Sequence, residues 1–591
     1  MRAAGVIERI RRRATLTRIA GAAAAVLIAA VAAAAVYGHT RGDSLSTDEP
    51  IHMLSGYTAV ASGSMIANLE HPPLLKALAG LSLLTLPLKP PPAHVPIGAF
   101  FSDFGQAFIF DNLSPPDAIA ARARFPFLLV FAALLLLVFF EARRRYGTVP
   151  ALFAESLLAF DPNLVAHAGV VHTDLGASLG FLATVLAWDA VLRRPAAPGS
   201  SRRPYARRVV VAGLCLGASL ASKFSTVYLV PVLLLQTLLA ARRAERPGEA
   251  LSRGLLRLIA AGAVAAVVLF SVYSFATRSI DVADEKSVVS EMISMKGAPR
   301  LGAAISRIAD FSPPLAAYAG GFASVARQNA VGGGVNYLFG RLSTDGFPLY
   351  FFYAFALKST LAFLIATAVV LAAAVRPGAA FSEERRVDLV PVAVLFLASI
   401  GSSYNIGIRH LLPVYPFLAL FAAGVFARLW NARRESSVRR AAAWAMAALP
   451  LASALELARI HPHELSYFNA LAGGPEHGRF LLNDSNVDWG LDLKRLAAEL
   501  TLRGVADPTV AYFGADTVRY RVGVDDFSVD PGIRRFVAIS AFFLAAGPEF
   551  FAYHHAPVIA RNLASLRREI AARGKPAGRV GYSIYLYEMT P

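Results

Sequence analysis

Asp48 and Glu49 in "STDEPIHMLSG", then Glu70 and His71 in "NLEHPPLLKALAG", where Lys76 also lies, stand between the first two apolar stretches of the chain. Further polar groups gather later. His167, His172 and Asp174 occur in "DPNLVAHAGVVHTDLG", Lys223 in "SLASKFST", and Arg409 with His410 in "YNIGIRHLLPVYP". Two carboxylates from separate loops, Asp48 and Asp174, can hold a divalent ion such as Mg, Mn or Ca; alternatively, one can act as a general base. Arginine, lysine and histidine opposite them suit a phosphate. A reaction that needs both is attack by an acceptor hydroxyl on a sugar attached to a lipid phosphate. The base takes the acceptor proton while cations or a metal stabilise the departing phosphate. Each position also has a plainer reading: Asp48 and Asp174 as helix caps, His71 as turn material before two prolines, Arg409 and Lys223 as cations reaching lipid headgroups. Joint placement is what points to a site.

That placement depends on the segments around them. The chain has 591 residues, 56% of them hydrophobic and 17% charged. Its apolar residues fall into long blocks such as "FPFLLVFAALLLLVFF" and "LIAAGAVAAVVLFSVYSF", several close to the ~20 residues that cross a bilayer as a helix. This pattern is that of a polytopic α-helical membrane protein. The formal charge of +18 does not point to nucleic acid, because the arginines collect in short loops between apolar blocks: Arg143 to Arg145, Arg193 to Arg208, Arg242 to Arg257 and Arg428 to Arg440. Basic loops mark the cytoplasmic side. The single cysteine, Cys215, excludes an internal disulfide framework.

Keeping every arginine loop inside gives one path. The tail with Arg9, Arg11, Arg12 and Arg13 is cytoplasmic, and a first span, or a cleaved signal peptide, covers roughly 17–37. Further spans are expected near 125–140, 149–166, 175–192, 208–222, 225–241, 257–276, 350–374, 388–402, 410–428 and 441–458, about eleven in all. "PPLLKALAGLSLLTLPL" is short and bracketed by prolines, and a span there would force the later arginines outside; it reads as a helix on the outer membrane surface. Outer loops then lie at about 40–122 and 277–348, and everything after roughly 459 is outside. All the candidate residues fall on that outer face, where ionisable groups near lipid need partners or water. Soluble nucleotide-sugar donors are cytoplasmic, so a lipid-borne donor fits this side better.

The transmembrane part is expected at 1–459 and a small extracytoplasmic α/β domain at 460–591. In the latter, short strand-like runs ("PTVAYFG", "RRFVAISAFFLA", "VGYSIYLYEM") alternate with helical patterns ("WGLDLKRLAAELTLRG", "APVIARNLASLRREIAARG"). It carries no glycine-rich phosphate fingerprint. A linker is read at "RRPAAPGSSRRP".

"DEPIHMLSGY…HPPLLKALAGL" resembles the first outer loop of the superfamily that contains protein O-mannosyltransferases and the aminoarabinose transferase of lipid A, which share the C-type glycosyltransferase fold. "DPNLVAHAGVVHTDLGASLGF" looks like its second motif, and "SYFNALAGGPEHGRFLLNDSNVDWGLDLKRL" is similar to a tail in bacterial phospholipid-carrier-dependent glycosyltransferases. The resemblance implies that Asp48, beside Glu49, is the base or a metal-associated group. It implies that Asp174 is the second acidic position and that Arg409 and His71 contact the donor phosphate. By their placement on the same face, Lys76 and Lys223 are expected to join the phosphate contacts and His172 to stand with Asp174. Two departures stand out. His71 occupies a place where some relatives have lysine, making that contact weaker and pH-sensitive. "LKST" replaces a "VKTP"-like run, leaving Lys358 without an inherited role.

The expected protein is therefore a multi-pass enzyme of a bacterial-type inner membrane, with its N-terminus cytoplasmic and its C-terminal part periplasmic or extracellular. It would transfer a sugar, with inversion, from a polyprenyl phosphate to a protein, lipid or glycan acceptor. A transporter or lipid flippase would place ionisable residues at mid-membrane instead, and a non-catalytic scaffold would need no such cluster.

Overall fold

The computed structural model describes residues 2–89, 101–193, 203–332, 334–375 and 389–591, with side chains omitted at 2–18, 101–103, 203–204 and 375. Residues 194–202 of the linker "RRPAAPGSSRRP", the side chains of Arg9, Arg11, Arg12 and Arg13, residue 388 of the expected 388–402 span, and residues 90–100 of the expected first outer loop lie outside the described residues.

Among the described residues, seven helices are long and apolar enough to cross a membrane: Ile19–Thr40, Pro116–Tyr146, Asp174–Leu192, Phe224–Ala241, Pro247–Ala276, Val414–Asn431 and Ser437–Ile460. The protein is a multi-pass membrane protein. The apolar helices Thr148–Ala159 and Pro162–Ala168 meet at a bend of 65°, the geometry of a broken span or of a re-entrant loop. Asp161 sits at the break, where its carboxylate accepts hydrogen bonds from the Asn163 and Leu164 amides. Pro162 starts the new helix without needing a hydrogen-bond donor.

The difference from about eleven expected spans has local causes. The 350–374 stretch is interrupted: Tyr350–Lys358 ends at Ser359, and Leu361–Val375 begins afresh. Lys358 lies at this interruption, buried, and its ammonium donates to the Leu465 carbonyl at 2.7 Å and the Asn486 carbonyl at 2.6 Å. Val390–Ile400 has only 11 residues, about half of a membrane crossing. Arg203–Leu220 covers the expected 208–222 span but opens with three arginines in its first turns.

The helices Glu49–Ala61 and Pro73–Leu83 cross at two glycines. A Cβ on Gly56 would collide with the Lys76 carbonyl, and one on Gly80 with the Gly56 carbonyl. Small residues allow such close backbone approach. Neither obstacle is a side chain that could swing away, so Gly80→Ala is expected to cost at least about 1–3 kcal/mol through overpacking. A lower melting temperature in detergent would report it; an unchanged one would contradict this crossing.

The last part of the chain forms a four-stranded sheet in the order β3-β4-β6-β5, made of β3 (Thr509–Ala511), β4 (Phe536–Ser540), β5 (Gly574–Val580) and β6 (Ile584–Met589). A separate hairpin, β1 (Asn336–Leu338) with β2 (Arg341–Ser343), precedes it. β3 and β4 run parallel; the other pairs are antiparallel. Alternation along β4 feeds two cores. Ala538 joins Leu493, Leu496 and Leu500 on one face, while Val537 and Ile539 pack with Phe542, Leu563 and Leu566 on the other. β5 lacked an apolar pattern in the sequence; it is an edge strand, where Pro576 is tolerated. This region is stitched to residues 44–47. The Ser44 amide donates to the Leu491 carbonyl at 2.8 Å, and the Thr47 amide to the Trp489 carbonyl at 3.1 Å.

Candidate active site

A cavity of about 560 Å³ gathers residues from distant segments. Asp48, His71, His172, Asp174, Lys223 and Arg409 all line it. Phe181, Phe224, Phe322, Phe351 and Leu395 give it an apolar side, while Glu70, Asn68, Gln328, Asn329, Tyr404 and His410 add further polar groups.

Asp48 immediately precedes the Glu49–Ala61 helix, yet its side chain makes no capping bond. Instead Oδ2 accepts from Arg409 Nη1 at 2.9 Å, joining residues 361 positions apart. Arg409 projects from a tight turn at Ile408–Leu411, placed by the Ile408 amide donating to Asn486 Oδ1 at 3.0 Å. Burial alone would raise the Asp48 carboxyl, but the Arg409 guanidinium and His52 outweigh it and hold the carboxyl below its ordinary range. Burial opposes the Arg409 charge, while Asp48, Asp174 and Asp484 together raise its already high pKa further.

Asp174 is the first residue of its helix, and its carboxylate likewise does not serve as a cap. Oδ1 is paired with Lys223, which stands in extended backbone between Arg203–Leu220 and Phe224–Ala241. Oδ2 lies 2.8 Å from His172 Nδ1. His172 Nε2 must be the protonated nitrogen toward the His167 carbonyl at 2.8 Å, since a carbonyl only accepts. His71 packs its ring 4.8 Å from that of His52. Burial, reinforced by His52, Lys76 and Lys223, keeps the His71 imidazole well below its usual pKa.

Two expected residues do not reach the cavity. Glu49 is fully buried: Oε1 accepts from Arg124 Nε at 2.7 Å and the Val171 amide at 3.0 Å, Oε2 from Arg124 Nη2 at 2.7 Å and the Ser46 amide at 2.8 Å. With every lone-pair direction used, it is a clamp and no candidate base. Lys76 points to Asn68, donating to its carbonyl at 2.5 Å and to Oδ1 at 3.2 Å; it holds the loop before the helix and contacts no cavity space. Asp48 and Asp174, the expected holders of a divalent ion, are paired with Arg409 and Lys223. Among the described residues no three His, Cys, Asp or Glu side chains converge on one point; an ion there would draw its remaining ligands from water and a donor phosphate.

Other cavity residues went unnoticed in the sequence. His52, one helical turn after Asp48, donates from Nδ1 to the Val171 carbonyl at 2.9 Å. Burial, partly offset by Asp48, depresses it to about 4, leaving a neutral imidazole at pH 7. The spacing Asp48–His52 was the available signal. Just behind the cavity lining, Trp489 lies with its ring 4.4 Å from the Arg409 guanidinium carbon.

No family model matches the chain, and no curated protein matches it. Among solved structures it is similar to the oligosaccharyltransferase of Archaeoglobus fulgidus in the apo form, at 14% identity and a TM-score of 0.46, over 73% of this chain and 55% of that one. The chain thus spans about half the length of that protein. The same oligosaccharyltransferase tethered with an acceptor peptide gives 12% identity and 0.48, over 96% and 74%. ArnT from Cupriavidus metallidurans bound to undecaprenyl phosphate gives 15% and 0.33, over 95% and 97%. Likenesses this distant do not carry a function across.

Proposed function

We propose that the protein is an integral-membrane glycosyltransferase that moves a sugar from a polyprenyl-phosphate carrier to an acceptor outside the cytoplasm. The observation that carries the reading is the Asp48–Arg409 pair at 2.9 Å in a cavity that also holds the Asp174–Lys223 pair and an apolar wall. A carboxylate beside fixed cations suits a step that removes a proton and releases a phosphate. The apolar wall suits the first isoprene units of a carrier. The motifs around Asp48, Asp174 and residues 484–490 support the same chemistry.

In the proposed reaction the acceptor X–H gives its proton to Asp48. Its electron pair forms a bond to the anomeric carbon, the bond from that carbon to the phosphate oxygen breaks, and its pair stays on the phosphate. Single displacement inverts the anomeric centre. Arg409 and Lys223 stabilise the charge gathering on the leaving group. His52 and His71, neutral, leave that task to the two permanent cations. The membrane part at 1–459 would hold the donor, with the N-terminus cytoplasmic, and 460–591 would lie outside in a bacterial-type inner membrane.

The test is transfer or release of radiolabelled sugar from a prenyl-phosphate donor by the purified protein in detergent or nanodiscs. No turnover with any prenyl-phosphate sugar would end this reading. Lys223→Ala is expected to lower kcat about 100-fold, the usual cost of losing one charge-stabilising donor. An unaltered kcat would remove Lys223 from the leaving-group role.

A further inference from the structure

Arg409 makes one side-chain hydrogen bond, to Asp48, and its buried Nε has no partner among the described residues. One bond does not fix the plane of a guanidinium. What fixes it is the indole of Trp489, 2% exposed, lying against it. The same indole is backed by His167 and His172, at ring separations of 5.8 and 5.6 Å. Through its carbonyl, Trp489 also receives the Thr47 amide, next to Asp48. From behind the cavity lining, a single residue therefore touches both groups of candidate residues: the loop bearing Asp48 with Arg409, and the turn bearing His172 with Asp174.

The backbone around Trp489 is built to hold it there. Gly490 has φ +87, and a Cβ there would meet Gly514 and the Tyr512 hydroxyl. That left-handed turn sends the chain back after the indole. The Asp488 carboxylate accepts from the Gly490 amide at 3.1 Å, and the Tyr512 hydroxyl donates to the Gly490 carbonyl at 2.5 Å. Just upstream, the Ser485 hydroxyl donates to the Ile406 carbonyl at 2.7 Å, anchoring the segment that leads into Arg409.

We propose that Trp489 is a positioning residue: it couples the proton-accepting loop to the phosphate-binding arginine, holding the guanidinium so that it faces Asp48 and the donor phosphate at once. This rests on the glycosyl-transfer reading above. A cation on an aromatic face is held in orientation without surrendering its hydrogen-bond donors. Those donors stay available to the phosphate as charge develops, and any weakening of the Arg409–Asp48 bond at that moment makes Asp48 a stronger base.

The test compares wild type, Trp489→Leu and Trp489→Phe in the radiolabel assay across pH, with melting temperature measured alongside. Trp489→Leu should lower kcat about 30-fold or more with KM changed less than about threefold. The acid limb of its rate profile should move to higher pH, because a loosely held Arg409 depresses Asp48 less. Trp489→Phe, which keeps an aromatic face, should recover most of the rate. If Trp489→Leu lowers only the melting temperature, with kcat and the acid limb unchanged per folded molecule, the coupling is wrong while the transfer reading survives. If wild type itself transfers nothing from prenyl-phosphate donors, both fall together.

Discussion

Asp48→Asn is expected to reduce kcat/KM for sugar transfer by about 10³-fold, within the 10²–10⁴ range of a lost general base, while the protein still elutes as a folded species. The amide is nearly isosteric and keeps a carbonyl oxygen for Arg409, so the loop should hold its place. Half-buried position favours tolerance: the Asp48 side chain is 31% exposed, and its one hydrogen-bond partner among the described residues is Arg409, which the amide oxygen can still accept from. In wild type, Arg409 and His52 hold the carboxyl below its ordinary range against the effect of burial. The base is thus ionised at neutral pH, and the acid limb of kcat/KM should lie below the unperturbed aspartate value of about 4. Transfer by Asp48→Asn at more than a tenth of the wild-type rate would take Asp48 out of the mechanism.

The neighbouring substitution should behave in the opposite way. Glu49→Ala is expected to cost about 3–5 kcal/mol of stability, because it leaves the Arg124 guanidinium buried without its counter-ion. It also strips the Ser46 and Val171 amides of their acceptor. Low yield and a melting temperature depressed by many degrees would be the signs. Replacing both partners with apolar residues of similar volume should be milder than Glu49→Ala alone, since no bare charge then remains. If Glu49→Ala folded normally but lost turnover, Glu49 would have a chemical role that its hydrogen bonds argue against.

These two residues show how far the sequence could be read. Both are acidic, adjacent and at the end of an apolar run, and nothing in their local pattern separates them. The helix beginning at Glu49 separates them. It turns one carboxylate inward to Arg124 and leaves the other at the cavity, a result of contacts with residues far along the chain. Asp174, Lys223, His172, His71 and Arg409 could be gathered from topology alone, because each lies at the end of an apolar block. Lys76 could not be set aside, since whether a lysine folds back onto Asn68 depends on the crossing at Gly56 and Gly80. Hydrophobic blocks located the membrane helices well, but not their breaks. The interruption at Ser359–Thr360 is hidden inside a continuous apolar stretch, whereas the bend at Asp161–Pro162 had a proline to announce it. Trp489 looked like filler for a soluble core because its neighbours, Arg409 and Thr47, are remote in sequence.

The amides of Ser44 and Thr47 find their acceptors on Leu491 and Trp489. A ribosome delivers the former pair to the membrane long before the latter pair exists. During synthesis the early loop must wait with open hydrogen-bond donors while the intervening helices insert, and it closes only when the late segment returns to it. On the glycosyl-transfer reading, newly made protein cannot use a lipid-linked donor until the chain has threaded and folded to at least that point, which ties the onset of activity to successful biogenesis.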